Sequence, residues 1–217
     1  MKDCSSSIAP VVKGDKFNLS QCPKNDLERE QMKNILYASA VGSLMYAQVC
    51  TRPDIAFIVG MLGRYQSNPG LDHWKAAKKV MGYLQGTKDY MLMFRRTENL
   101  EVIGYSDSDY AGCIDSRKST SGYIFMLVGG AVPWRSAKQT LTATSTMEDE
   151  FAKNTKNGSR SKHIDIKYLA IRERVKDKTM VIEHISTELM IADPLTKGIP
   201  PLKFKDHTER MRLGPFM

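Results

Sequence analysis

Cysteine is scarce in this chain: Cys4, Cys22, Cys50 and Cys113 are widely spread and form no CxxC pair. That excludes a cysteine-framed zinc ribbon and a disulfide scaffold, so free thiols are expected. Histidine is equally sparse, and His73, His163, His184 and His207 lack the paired spacing of a zinc site. Long apolar runs are absent as well. The stretch from Ala38 to Val49 is broken by Ser39, Gly42, Ser43 and Gln48, too short and too polar to span a bilayer. No secretory core follows the first residues, so an intracellular location is expected. Acidic residues are outnumbered: 24 Asp and Glu against 32 Lys and Arg leave a formal charge of +8. Such a balance favours a polyanionic partner such as nucleic acid, although a solvated basic surface accounts for it equally well until the charges are seen to cluster.

What the chain does contain is enough apolar residue, 41% of 217, for one moderate core or a core with a small helical annex. Residues 1–27 carry few large apolar side chains and no sustained period, and read as linker-like and poorly ordered. From Glu28 the period is helical. Tyr37, Val41, Leu44 and Met45 share one face, Ile55, Ile58, Leu62 and Tyr65 a second, and Leu71, Trp74, Met81 and Leu84 a third. Thr51 and Pro53 suit a helix start, while Asn68, Pro69 and Gly70 stop that helix before Asp72 opens the next.

After Thr87 the period changes to two. Met91 to Phe94, Val102 to Ser106, Tyr123 to Val128 and Val132 to Ser136 read as an antiparallel meander, with Gly129 and Gly130 turning the last hairpin. Pro133 removes a ladder donor, which suits an edge strand. A helix near Ser145 to Ala152, a second near Asp165 to Val175 and a strand Met180 to His184 suggest a parallel crossover. The overall expectation is an α/β chain, α+β in its broad layout: short helices over 28–95, a mixed sheet with helices over 96–198, and a tail over 199–217.

Carboxylates recur at element ends. Asp107 and Asp109 close an apolar strand in GYSDSDYAG, Glu148, Asp149 and Glu150 lie on a helix, and Asp193 opens ADPLTK. Taken singly, each is more often a solvated or capping group than a functional one.

Their order along the chain is more informative. YASAVGSLMYAQVCTRPDIAFIVGMLGRY, KVMGYLQGTKDYML, GYSDSDYAGCIDSRKSTSGYIF, AVPWRSAKQ, STMEDEFA, RSKHIDIKYLAIRERV and ADPLTKG together resemble the Pol polyproteins of copia-type LTR retrotransposons. The resemblance implies that Leu27 to Phe94 corresponds to the thumb and connection of a reverse transcriptase, and Glu101 to about Gly198 to a ribonuclease H-like domain. The chain has no YxDD, so polymerase chemistry is not expected from these residues.

Ribonuclease H enzymes use four carboxylates to hold two Mg²⁺ ions, about 3.5 to 4 Å apart, that cleave the RNA of an RNA/DNA hybrid. Carried over by motif, Asp107, Glu150 and Asp193 match three of those ligands, with Glu148 and Asp109 as weaker alternatives. The strand that carries the remaining aspartate has no counterpart. Only 43 positions separate Glu150 from Asp193, and the chain runs from EFAK through NTKNGSR straight to SKHIDIKY. An internal deletion near 153–162 is the expectation, and with it an incomplete Mg²⁺ site. Arg117, Lys118, Arg135, Lys138, Arg160 and Lys162 could line a phosphate groove for a hybrid, and an intact reverse transcriptase of a related element is a further possible partner.

Overall fold

A computed structural model describes residues 7–94, 96, 101–139, 177, 181 and 183–215. Its described elements make a mixed α+β fold. Four helices come first: α1 Asp26–Lys33, α2 Tyr37–Cys50, α3 Ala56–Leu62 and α4 Leu71–Gly86. Strands β1 Tyr90–Leu92, β2 Val102–Asp109, β3 Thr120–Leu127 and β4 Gly130–Lys138 follow, then helix α5 Pro201–Arg210 and strand β5 Leu213–Pro215. Among the described residues no helix is long and apolar enough to cross a membrane.

The helices assemble around α3, which is buried over nearly its whole length. Tyr37, Val41 and Leu44 turn one stripe of α2 inward, and the Tyr37 hydroxyl donates to Leu62 O at 2.9 Å. Full burial of side chains of this kind stabilises by roughly 1.5 to 3 kcal/mol each. On α4 the buried stripe is His73, Ala77, Val80 and Tyr83, whereas Leu71 is exposed. The expected face of Leu71, Trp74, Met81 and Leu84 is therefore rotated by about one position. Tyr83 can go inside because its hydroxyl finds a partner, and His73 because its Nδ1 does, although its Nε2 is buried without one. His73 Nδ1 accepts from Gly70 N at 3.0 Å, and the Tyr83 hydroxyl donates to Asp54 Oδ2 at 2.6 Å.

Residues 7–25, read as linker-like, bury Ala9, Val11, Phe17 and Cys22 in the helical core. Their backbone also passes close to two glycines: a Cβ on Gly70 would lie 1.8 Å from Gln21 O, and one on Gly198 2.6 Å from Val12 O. The segment is held by these few packing points, which carry no periodic signal. The C-terminal residues are likewise not a loose tail. Phe204 enters the helical core, while Met211 and Leu213 join Ile124, Met126, Ala131, Ile191, Ala192 and Leu195 in a second core under the sheet.

Strands β2, β3 and β4 form an antiparallel meander in that order. Strand β1 does not join it; it pairs antiparallel with β5, Tyr90 opposite Pro215. A three-residue strand finds a partner wherever a complementary edge lies, and here the C-terminus provides it. The β3–β4 turn sits one residue earlier than expected, with Val128 and Gly129 at φ of 58° and 77° and Gly130 already paired to Leu127. Both central residues have the left-handed backbone of the turn type that matches strand twist. Pro133 falls where the β4 register shifts opposite Ile124 and Met126, and β4 is an edge strand among the described residues, so its missing N–H disrupts no ladder.

The expected helices near Ser145 to Ala152 and Asp165 to Val175 lie outside the described residues. Of the expected strand Met180 to His184, Val181, Glu183 and His184 are described, exposed and in no strand. Strand β2 is thus an edge among the described residues, with Val102 and Ile103 exposed.

Candidate carboxylate site

Asp107 stands near the end of β2, directly opposite Gly122 of β3. The glycine decides what can approach it. A Cβ on Gly122 would lie 2.7 Å from Leu195 Cβ and 3.0 Å from Thr196 Cγ2, so a side chain there would push the 193–196 turn off the sheet. Without one, the short 3₁₀ turn Asp193–Leu195 lies on the strand pair, anchored by Ala192 and Leu195, both fully buried. Pro194 in its first turn presets the backbone for that geometry.

The turn brings Asp193, Thr196 and Lys197 to Asp107. The Thr196 hydroxyl donates to Asp107 Oδ2. Lys197 Nζ lies 3.2 Å from Asp107 Oδ2 and 3.1 Å from Asp193 Oδ1, between the two carboxylates. Lys203 Nζ of α5 stands further off, 3.7 Å from Asp193 Oδ2. The Asp193 side chain is only 2% exposed, and its Oδ1 has no hydrogen-bond partner of good geometry despite the nearby ammonium. Burial raises the Asp193 carboxyl above the usual aspartate range, with Lys197 pulling the other way and Asp107 adding to the rise. Burial also opposes the Lys197 ammonium, yet Asp107 and then Asp193 outweigh it and hold its proton above the ordinary lysine range.

Two of the sequence-predicted ligands, Asp107 and Asp193, therefore meet. Asp109 does not join them: its carboxylate lies over Gly112 in the β2–β3 connection, where a Cβ would come within 1.6 Å of Asp109 Oδ2. Glu148, Glu150, Arg160 and Lys162 lie outside the described residues. Among the described residues no three His, Cys, Asp or Glu side chains converge on one point. A pair of divalent ions needs dense anionic oxygen around it, and this part of the site offers two carboxylates with an ammonium between them. The described donors do not make up a two-metal set.

The remaining basic residues cluster only in part. Lys118 and the exposed Arg117 follow a turn in which Arg117 N donates to Cys113 O at 2.7 Å, and Lys138 pairs opposite Thr120 at the same end of the sheet. Arg135 is exposed further along β4, opposite Tyr123. Arg64 of the helical layer also reaches that sheet end, its Nη2 donating to Thr120 Oγ1 at 3.4 Å.

Over 244 aligned positions the chain is 37% identical to the Retrovirus-related Pol polyprotein from transposon TNT 1-94 of Nicotiana tabacum, covering 94% of this chain and 18% of that polyprotein. It is 31% identical over 215 positions to the Retrovirus-related Pol polyprotein from transposon RE2 of Arabidopsis thaliana, covering 81% of this chain and 15% of that polyprotein. The chain belongs to the copia-type retrotransposon Pol polyproteins.

This Pol chain spans less than a fifth of either polyprotein's length. It is also 52% identical over 120 positions to the Secreted RxLR effector protein 161 of Plasmopara viticola, covering 55% of this chain and 84% of that protein. No protein-family model and no solved structure matches it. The tobacco alignment runs to 244 positions against 217 residues here, a difference of 27, so at least that many of its positions face no residue of this chain.

Sequence reasoning passed over Lys197, Thr196, Lys203 and Arg64. For Lys197 a signal existed: Asp193 and Lys197 stand four apart, a spacing at which a carboxylate and an ammonium readily meet. Lys203 and Arg64 come from distant elements and left none.

Proposed function

We propose that this Pol chain is a ribonuclease H remnant that does not hydrolyse RNA/DNA hybrids. The observation that carries the reading is the place of Lys197 Nζ, 3.2 Å from Asp107 and 3.1 Å from Asp193, which puts an ammonium between the two carboxylates where a metal ion would have to sit. Supporting it are the alignment positions that face no residue here. Mg²⁺ is the ion the lineage implies, with Glu150 as a third ligand, and a set lacking one acid holds it poorly. The test is cleavage of a hybrid labelled on its RNA strand, in Mg²⁺ at high protein concentration. No product is expected, and product that disappears in Asp107→Asn overturns the reading.

The cluster of Arg117, Lys118, Lys138 and Arg64 at one end of the sheet favours a second, compatible reading, in which the chain retains salt-dependent binding of nucleic acid inside the cell. Hybrid binding should weaken steeply as salt rises, and Lys138→Ala should make the log–log salt slope shallower by about one, the value of a single phosphate neutralised. Binding indifferent to salt removes this second reading. An intact reverse transcriptase of a related element stays a proposed partner, open to co-purification with the full chain.

A further inference from the structure

We infer that Lys197 is the resident cation of this site: its ammonium stands in for a divalent ion between Asp107 and Asp193 and holds the 193–198 turn on the sheet without metal. The inference rests on the reading of the site as a ribonuclease H remnant, and extends it from what the site lacks to what fills it.

Three observations converge. The ammonium lies 3.2 Å from Asp107 Oδ2 and 3.1 Å from Asp193 Oδ1, so one charge is shared by two carboxylates that belong to different elements of the fold. Asp193, at 2% side-chain exposure, is a buried carboxylate whose nearest cation is this ammonium, with Lys203 Nζ further off at 3.7 Å. Asp193 Oδ1 has no well-formed hydrogen bond, so the interaction is one of charge more than of directed bonding, as it is with a bound ion. Because Lys197 is only one residue beyond Thr196, whose hydroxyl also donates to Asp107, the turn carries its own cation with it as it docks.

A divalent ion entering the same space must first displace the ammonium, which costs it the attraction of the pair. Removing the ammonium while keeping the apolar stem, as in Lys197→Met, leaves two carboxylates facing each other and restores a place for a metal ion.

The experiment follows thermal melting of the full chain in chelator and in Mg²⁺, and Mn²⁺ uptake by the loss of the free-ion electron paramagnetic resonance signal. The wild type should melt at the same temperature in both and take up no more Mn²⁺ than Asp107→Asn. Lys197→Met should melt lower in chelator, recover in Mg²⁺, and take up Mn²⁺ at least about tenfold more tightly than the wild type. Lys197→Arg should behave as the wild type. Mg²⁺ raising the wild-type melting temperature, Mn²⁺ uptake by the wild type that Asp107→Asn removes, or a Lys197→Met protein indifferent to metal each overturns the inference. If Lys197→Met does not fold, the Mn²⁺ comparison between wild type and Asp107→Asn decides alone. Wild-type metal uptake without hybrid cleavage sinks this inference and leaves the non-catalytic reading standing, whereas cleavage sinks that reading.

Discussion

Two ionic sites in this Pol chain differ in how completely they are satisfied. In the helical half, Arg52 donates to Asp54 Oδ1 at 3.0 Å and Oδ2 at 2.7 Å, and to Thr87 O and Oγ1, while the Tyr83 hydroxyl also reaches Asp54. The Arg52 and Asp54 side chains are 8% and 0% exposed. The planar guanidinium matches the carboxylate with two bonds, and every arm left over finds an oxygen. In the sheet half, Lys197 offers one point charge to two carboxylates, is about a third exposed, and leaves Asp193 Oδ1 without a directed bond. The first site closes on itself and clamps α4 to the chain before α3. The second is left partly open to solvent and incompletely bonded.

The comparison breaks most sharply at Asp54. Asp54→Ala strands a buried guanidinium and the Tyr83 hydroxyl, and should lower stability by about 3 to 5 kcal/mol, read as the shift in urea midpoint at constant slope. Lys197→Met in chelator should cost less, about 2 kcal/mol by the same measurement, because water reaches the half-open site and screens what remains. An equal loss at the two sites would erase the distinction drawn between them.

Alkaline titration sharpens it further. The folded-state pKa of Lys197 lies above its ordinary 10.5, so its contribution is fully present below pH 10.5 and is lost as pH rises through the folded value. Burial opposes the Arg52 guanidinium, but Asp54 outweighs it and holds its proton even more firmly than in a free arginine, far above the range of Lys197. Wild-type stability should therefore converge on that of Lys197→Met as pH rises above 10.5, while the difference from Asp54→Ala persists. The smallest effect belongs to a position touching neither site. Val128, a β-branched residue at φ 58°, is strained in the β3–β4 turn, and Val128→Asn should raise stability by about 0.5 to 1 kcal/mol without changing either ionic response. A response of metal uptake to that change would show that the sheet-half site depends on the hairpin.

Much of the helical half was legible because local signals sufficed. Pro53, Asn68, Pro69 and Gly70 mark element ends by fixing or freeing the backbone, and Ile55, Ile58, Leu62 and Tyr65 do form a buried face. The stripe of α4 was misphased because His73 and Tyr83 read as polar until their partners are known. The strands of the meander were legible from their period, but β1 paired with β5 instead, and residues 7–25 entered the core through packing that no period announces.

At the candidate site the division has the same cause. Asp107 and Asp193 were identifiable by motif, since a carboxylate's chemistry is written in its residue type. That Asp109 turns away over Gly112, that Gly122 clears a space for the 193–196 turn, and that Lys197 ends up between the two acids depend on residues as many as 90 positions apart meeting in space. By itself the sequence determined the Pol lineage, the order of helices and strands from α2 to β4, and which side chains could carry charge. Only the tertiary structure decided which of those charges meet, because burial and pairing energies belong to distances across the fold and not to positions along the chain.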